Sequence, residues 1–177
     1  NTKKVVLESV SKSVGNRPDL QFFPEGGAML NGYFNRVAFK TLGVNGRSME
    51  VSGEIIDQEG SKVLDFSSER LGMGQIALRP ESGKSYTAVI QHNGKKISYK
   101  LPNAIDQGSL LQVMDLGDKY QLNISTTDPK GMSGYSLIGD QKFGRVFNAE
   151  LKGDKGKGVV RVPKNVLNVG IVGFTIK

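Results

Sequence analysis

The chain of 177 residues has no cysteine, no tryptophan and a single histidine. Without thiols there is no disulfide framework, no thiolate zinc site, no thiol nucleophile and no Cys-based thioester. The compartment stays open, because a cysteine-free chain is compatible with oxidising surroundings without requiring them. A serine triad would have to use His92, but no GxSxG elbow occurs, and the surrounding IQHNGKK reads as an exposed turn. No apolar run approaches the roughly 18 residues of a membrane helix, and no charged start followed by a hydrophobic stretch and a small-residue cleavage site is visible. The sequence opens at Asn1 rather than at Met, so it is expected to be a trimmed product, with any leader or lipid anchor upstream.

Helical periodicity is also scarce, whereas alternation of period two runs through most of the chain. With 37% hydrophobic residues the chain can bury a core, and 23 Gly and 6 Pro provide many turns. Seven strands are expected in the first half, near 20–23, 33–41, 50–57, 62–68, 74–79, 85–91 and 96–101. Hairpin tips are expected at Asn45-Gly46, Glu59-Gly60, Ser82-Gly83 and Asn93-Gly94, where glycine or asparagine tolerates positive φ. In YTAVIQ the alternation places Tyr86, Ala88 and Ile90 on one buried face.

The stretch 102–109, PNAIDQGS, is polar and rich in turn formers, as expected where one core ends and another begins. Six further strands are expected near 110–115, 120–127, 133–138, 145–151, 158–162 and 169–176. LKGDKGKGVVRV reads as a hairpin with its tip at 153–157; its Gly-x-Gly lacks the GxxxxGK[ST] spacing and the helix of a phosphate loop. In the leading segment 1–16, Val6, Val10 and Val14 fit a helical repeat while KVVLE suits a strand.

Two blocks carry a family resemblance. DLQFFPEGG (19–27) and GMGQIALRPESGKSYTAV (72–89), together with NRVAFKTLGVNGRSMEVSGEIIDQEGSKVLDF, YSLIGDQKFGRVFNAEL and VPKNVL, resemble the macroglobulin-type β-sandwich pairs of large Gram-negative envelope proteins. Those proteins are similar to the N-terminal domains of bacterial α2-macroglobulins, or are described as TonB-dependent-receptor-plug or carboxypeptidase-regulatory-like. The resemblance covers about 17–177. It implies an all-β chain of two tandem immunoglobulin-like or macroglobulin-like antiparallel sandwich domains, 17–104 and 105–177, after a leading segment 1–16. It also implies a place in the cell envelope, periplasmic or outer-membrane associated.

Both blocks have a physical reading of their own. Phe22 and Phe23 point to opposite faces of a first strand, Pro24 interrupts its ladder, and Gly26-Gly27 lets the chain reverse. Gly72 and Gly74 suit a bulge or tight bend, Ile76 and Leu78 share a face, and Tyr86 packs inward with its hydroxyl bonded to backbone.

The remaining constellations favour no chemistry. Asp115, Asp118, Asp128, Asp140 and Asp154 lie near loops without the alternating ligands of a calcium loop. Glu25, Glu50, Glu54, Asp57 and Glu69 show no pairing of the kind glycoside hydrolysis needs. Tyr33, Tyr99, Tyr120 and Tyr135 could stack on sugars, although cross-strand packing is the plainer role. The net charge of +7 comes from dispersed Lys and Arg, which argues against nucleic acid as a partner. The expectation is therefore a non-catalytic structural or interaction module, with no catalytic residue, cofactor or metal. Its partners would be other domains of the parent protein and an envelope protein or glycan. A polysaccharide- or envelope-protein-binding module is the alternative.

Overall fold

The computed structural model describes residues 17–142, 144–152 and 156–177; both readings of the leading segment and the tip of the 153–157 turn lie outside the described residues. The chain is all-β, and its short strands collect into paired antiparallel sheets. In the first half β1 (Asp19–Pro24), β3 (Asn35–Leu42) and β6 (Met73–Leu78) form one sheet in the order β1-β3-β6. β4 (Ser52–Asp57), β5 (Lys62–Ser67), β7 (Tyr86–His92) and β8 (Lys95–Lys100) form the other, in the order β5-β4-β7-β8.

Alternation decides which side chains fill the space between these sheets. Val37 and Phe39 of β3, Ile76 and Leu78 of β6, Ile55 of β4, Phe66 of β5 and Tyr86, Ala88 and Ile90 of β7 are all buried in one cluster. At its centre Phe39 meets Phe66 edge-on with ring centroids 5.2 Å apart, and Phe22 joins them at 6.1 and 6.3 Å, the geometry aromatic quadrupoles prefer. Phe23 points the other way and is half exposed. Tyr86 is buried and its hydroxyl accepts the Glu81 N–H at 3.0 Å, as its place in the block implies.

The second half repeats the plan. β10 (Ser109–Asp115), β11 (Lys119–Thr126) and β14 (Lys157–Pro163) form one sheet, and β12 (Ser136–Gln141), β13 (Gly144–Glu150) and β15 (Val172–Ile176) the other, in the orders β10-β11-β14 and β13-β12-β15. Leu122, Ile124, Met132, Leu137, Leu151 and Val162 are buried between them, with Tyr120, Phe147 and Phe174 packed against this second cluster. A 3-10 turn, Lys164–Val166, leads from β14 toward β15.

Two strands escape the sequence reading. β2 (Met29–Leu30) and β9 (Ala104–Ile105) are two residues each and pair in parallel, and the Asn31 N–H extends the pair by donating to the Ile105 carbonyl at 2.9 Å. Two residues are too few to display alternation. The side chain of buried Asn35 holds β2 in place: its Oδ1 accepts the Leu30 N–H at 2.7 Å and its Nδ2 donates to the carbonyls of Leu30 and Tyr33.

The turn expectations divide. Asn93-Gly94 joins β7 to β8 with φ of 49° and 74°, a two-residue turn with both central φ positive, and Glu59-Gly60 joins β4 to β5. The Asn45-Gly46 turn closes only a short antiparallel bridge between Leu42 and Ser48, and neither it nor Ser82-Gly83 joins two strands of one sheet. β3 and β4, and β6 and β7, lie in different sheets, so these two turns carry the chain across the sandwich; β13 and β14, expected as a hairpin, also lie in different sheets. A turn residue encodes a reversal of direction, while the sheet the next strand joins depends on distant partners. Two strand starts shift by three residues. β12 begins at Ser136 rather than near 133, because buried Met132 sits in a turn closed by the Tyr135 N–H on the Met132 carbonyl. β15 begins at Val172 rather than near 169, and Val169 and Ile171 stand in solvent. Pro24, expected to interrupt the ladder, pairs with Val37 instead, since its missing N–H falls on the open side of an edge strand and Glu25 N–H still reaches the Arg36 carbonyl at 2.9 Å.

Candidate functional site

The FFPEGG block ends beside β10, and its glutamate has a role the sequence alone does not disclose. Gly26 and Gly27 both take left-handed φ, 83° and 94°, and the Gly27 N–H closes the turn on the Pro24 carbonyl. The register of β1 on β3, with Pro24 opposite Val37, sets Glu25 beside Arg36. Both side chains reach across to Val113 of β10. Glu25 Oε1 accepts the Val113 N–H at 2.9 Å, Arg36 Nη1 donates to the Val113 carbonyl at 3.2 Å, and Arg36 Nη1 lies 3.5 Å from Glu25 Oε2. The ion pair thus offers one residue of β10 the acceptor and donor that a neighbouring strand would supply, and it covers part of an open sheet edge.

Other contacts extend this seam between the two cores. Gln112 Nε2 donates to the Phe34 carbonyl at 3.2 Å, Tyr33 Oη to the Thr126 carbonyl at 3.4 Å, and Asn31 Nδ2 to Asp106 Oδ1 at 2.8 Å. The Lys157 ammonium lies 5.5 Å above the Tyr33 ring. Hydrogen bonds from Ser82 and Asn31 hold the Asp106 carboxyl below its usual range. Glu25 Oε2 is buried and has no hydrogen-bond partner. Beside it opens a cleft of about 420 Å³ lined by Glu25 and Gly26 on one side and by Leu111, Val113, Tyr120, Ile171, Val172 and Phe174 on the other.

The candidate residues of the sequence fall in several places. Glu50, Glu54 and Glu69 line one open groove of about 900 Å³ on the first half, with Asp65, His92 and Lys96. Their hydrogen bonds are local: Glu50 accepts the Gly72 N–H at 3.1 Å and Asp65 pairs with Lys62 at 2.8 Å. Asp57 accepts the N–H groups of Glu59 and Ser61 within its own turn, and Glu25 lies at the seam. His92 closes the β7–β8 turn beside Asn93.

Of the loop aspartates, Asp115 pairs with Lys164 at 2.7 Å and accepts the Gly117 N–H, and these partners hold its carboxyl below the usual range. Asp118 pairs with Lys119, Asp128 accepts the Lys130 N–H and the Tyr135 hydroxyl, and Asp140 lies 3.5 Å from Arg145. Asp154 is outside the described residues. Among the described residues no three His, Asp or Glu side chains are grouped to hold a metal ion. The tyrosines are engaged with protein. Tyr99 is buried with its hydroxyl on the Pro18 carbonyl, and burial pushes its phenol up. Tyr120 meets Phe174 edge-on and lies under Lys164.

Sequence reasoning missed Glu25 and Arg36 as a pair. The available signal was an acid and an arginine that become neighbours only once β1 and β3 are set in register.

No family model and no curated protein matches the chain. Among solved structures, the chain is similar to E. coli alpha-2-macroglobulin in its native conformation, with a TM-score of 0.36 and 11% identity over 84% of this chain and 12% of that one. The chain therefore spans about an eighth of that protein's length. Among the described residues no helix is long and apolar enough to cross a membrane.

Proposed function

We propose that this chain is a non-catalytic structural and interaction module of macroglobulin type, part of a larger cell-envelope protein, in which two sandwich domains, 17–104 and 105–177, hold flanking domains at a set spacing and offer strand edges or loops to a partner. The observation that carries this reading is the Glu25–Arg36 pair bracketing Val113: side chains of one core complete the sheet edge of the other, so the two are joined by directional bonds as well as by the peptide link. The β2–β9 pair adds backbone bonds that hold the start of the connecting segment to the first core. The envelope assignment draws on the FFPEGG and GMG blocks and their resemblance.

Small-angle scattering of the chain tests the spacing role. The expected profile fits one arrangement of the two halves at low and moderate salt, and the double variant Glu25→Ala, Arg36→Ala broadens the distance distribution. Freely reorienting halves in the unaltered chain would refute the reading. Fractionation of the native gene product tests the location, and a cytosolic product would remove the envelope part alone.

A further inference from the structure

From the edges of the second sandwich we infer that β15 is a docking strand, which takes an extended segment of a partner protein with aliphatic residues at alternate positions. This rests on the interaction role proposed above and names its site. The Ser136 N–H donates to the Lys177 carbonyl and the Lys177 N–H to the Ser136 carbonyl, so residue 177 forms a reciprocal pair with β12. Counting back along the unshifted register, Thr175 and Gly173 bond toward β12, while the N–H and C=O groups of Val172, Phe174 and Ile176 face the open edge.

The other edges of this half are protected. β14 carries Lys157 and Arg161 and ends in Pro163; β13 carries Arg145 and Glu150 and pairs through a register shift; the outward groups of Val113 on β10 are taken by Glu25 and Arg36. β15, VGFTI, has no charge, no proline and no shift, which are the devices that keep edges from pairing.

The geometry beside β15 selects the occupant. The cleft next to the edge is continuous with the seam: its floor is Leu111, Val113, Tyr120 and Phe174, and its far wall is Glu25 and Gly26. Side chains at alternate positions of an added strand enter this apolar floor, and its amides meet Val172 and Phe174. Glu25 Oε2 on the far wall is buried, and Arg36 Nη1 lies 3.5 Å from it, too long for a hydrogen bond. Ile171, 91% exposed at the mouth, gains cover. Because Glu25 and Gly26 of the first sandwich line the same cleft as Val172 and Phe174, the occupant inferred here is a single extended segment.

The test titrates the full chain into a short fluorescein-labelled peptide alternating valine with threonine, read by anisotropy, with amide chemical shifts locating the contact. The expected result is saturable binding with shifts centred on Val172, Phe174 and Ile176. Weakening of about tenfold is expected when the central valine of the peptide is N-methylated, or when Val172→Pro removes an outward N–H without touching the β12 ladder. Thr175→Ser, which keeps the exposed face of β15 polar and uncharged, leaves binding unchanged. If Val172→Pro unfolds the chain, the N-methylated peptide carries the same comparison on the unaltered protein. Absence of saturable binding, equal binding of the N-methylated peptide, shifts centred on another edge, or a dimer of the chain sealed through β15 would each overturn the inference. A fixed spacing in scattering alongside any of these would leave the module role standing.

Discussion

At the scale of single residues, the glycines of the GMG block separate two reasons for lacking a side chain. Gly72 has φ +69°, and a Cβ there would sit 2.6 Å from the carbonyl oxygens of Thr41 and Met49, backbone atoms that cannot step aside. Gly74 has no positive φ, but a Cβ there would come 2.6 Å from the Phe39 ring. Gly60, with φ +85°, has open space around it. Gly72→Ala is therefore expected to destabilise the chain by more than about 2 kcal/mol and Gly60→Ala by about 1 kcal/mol in urea denaturation; equal losses would remove the steric argument. Glu25 separates charge from hydrogen bonding. Glu25→Gln keeps an acceptor for the Val113 N–H and is expected to cost under about 1 kcal/mol, whereas Glu25→Ala leaves that N–H unpaired and costs about 1–3 kcal/mol. The same denaturation series checks the order.

At the scale of elements, β7 and β8 show local and tertiary preferences in agreement. Asn93 and Gly94 supply two positive φ values, and Tyr86, Ala88 and Ile90 line the core on one face of β7. By contrast, the loop aspartates show how a turn is pinned to a neighbouring element. Asp115, at the end of β10, pairs with Lys164 of the 3-10 turn. Its carboxyl titrates below the usual range because the Lys164 and Gly117 groups favour the charged form. A depressed carboxylate contributes its stabilisation above its unfolded pKa of about 3.9 and loses it as pH falls through the folded value. Thermal melts should place Asp115→Asn below the unaltered chain at pH 7, with the gap closing below about pH 4. A gap that persists unchanged in acid would show that the pair plays no part.

At the scale of the whole molecule, polar contacts link the two halves, and one parallel two-residue ladder ties the connecting segment to the first core. Asp106, next to β9, is part of this joint and its carboxyl is likewise held low by Ser82 and Asn31. Acid through the carboxylate range therefore weakens the connecting segment as well as the loop at Asp115, with the same sign. Scattering at pH 7 and below about pH 4 is expected to show a wider spread of arrangements in acid, reduced in Asp106→Asn, whose amide does not change charge. Identical spreads would place the joint elsewhere.

Much of the fold was legible in the sequence, for local reasons. Inward alternation of Val37 and Phe39, of Ile76 and Leu78, and of Leu122 and Ile124 is a property of a few adjacent residues, and so are the turn at Asn93-Gly94 and the opposed faces of Phe22 and Phe23. The seven and six main strands follow from it. What the tertiary structure alone decided is partnership: that the Asn45-Gly46 and Ser82-Gly83 turns change sheets, that Met29–Leu30 lies parallel to Ala104–Ile105, and that Glu25 and Arg36 close on Val113. Each of these joins residues far apart along the chain, where the gain depends on packing many strands at once and no local period records the partner.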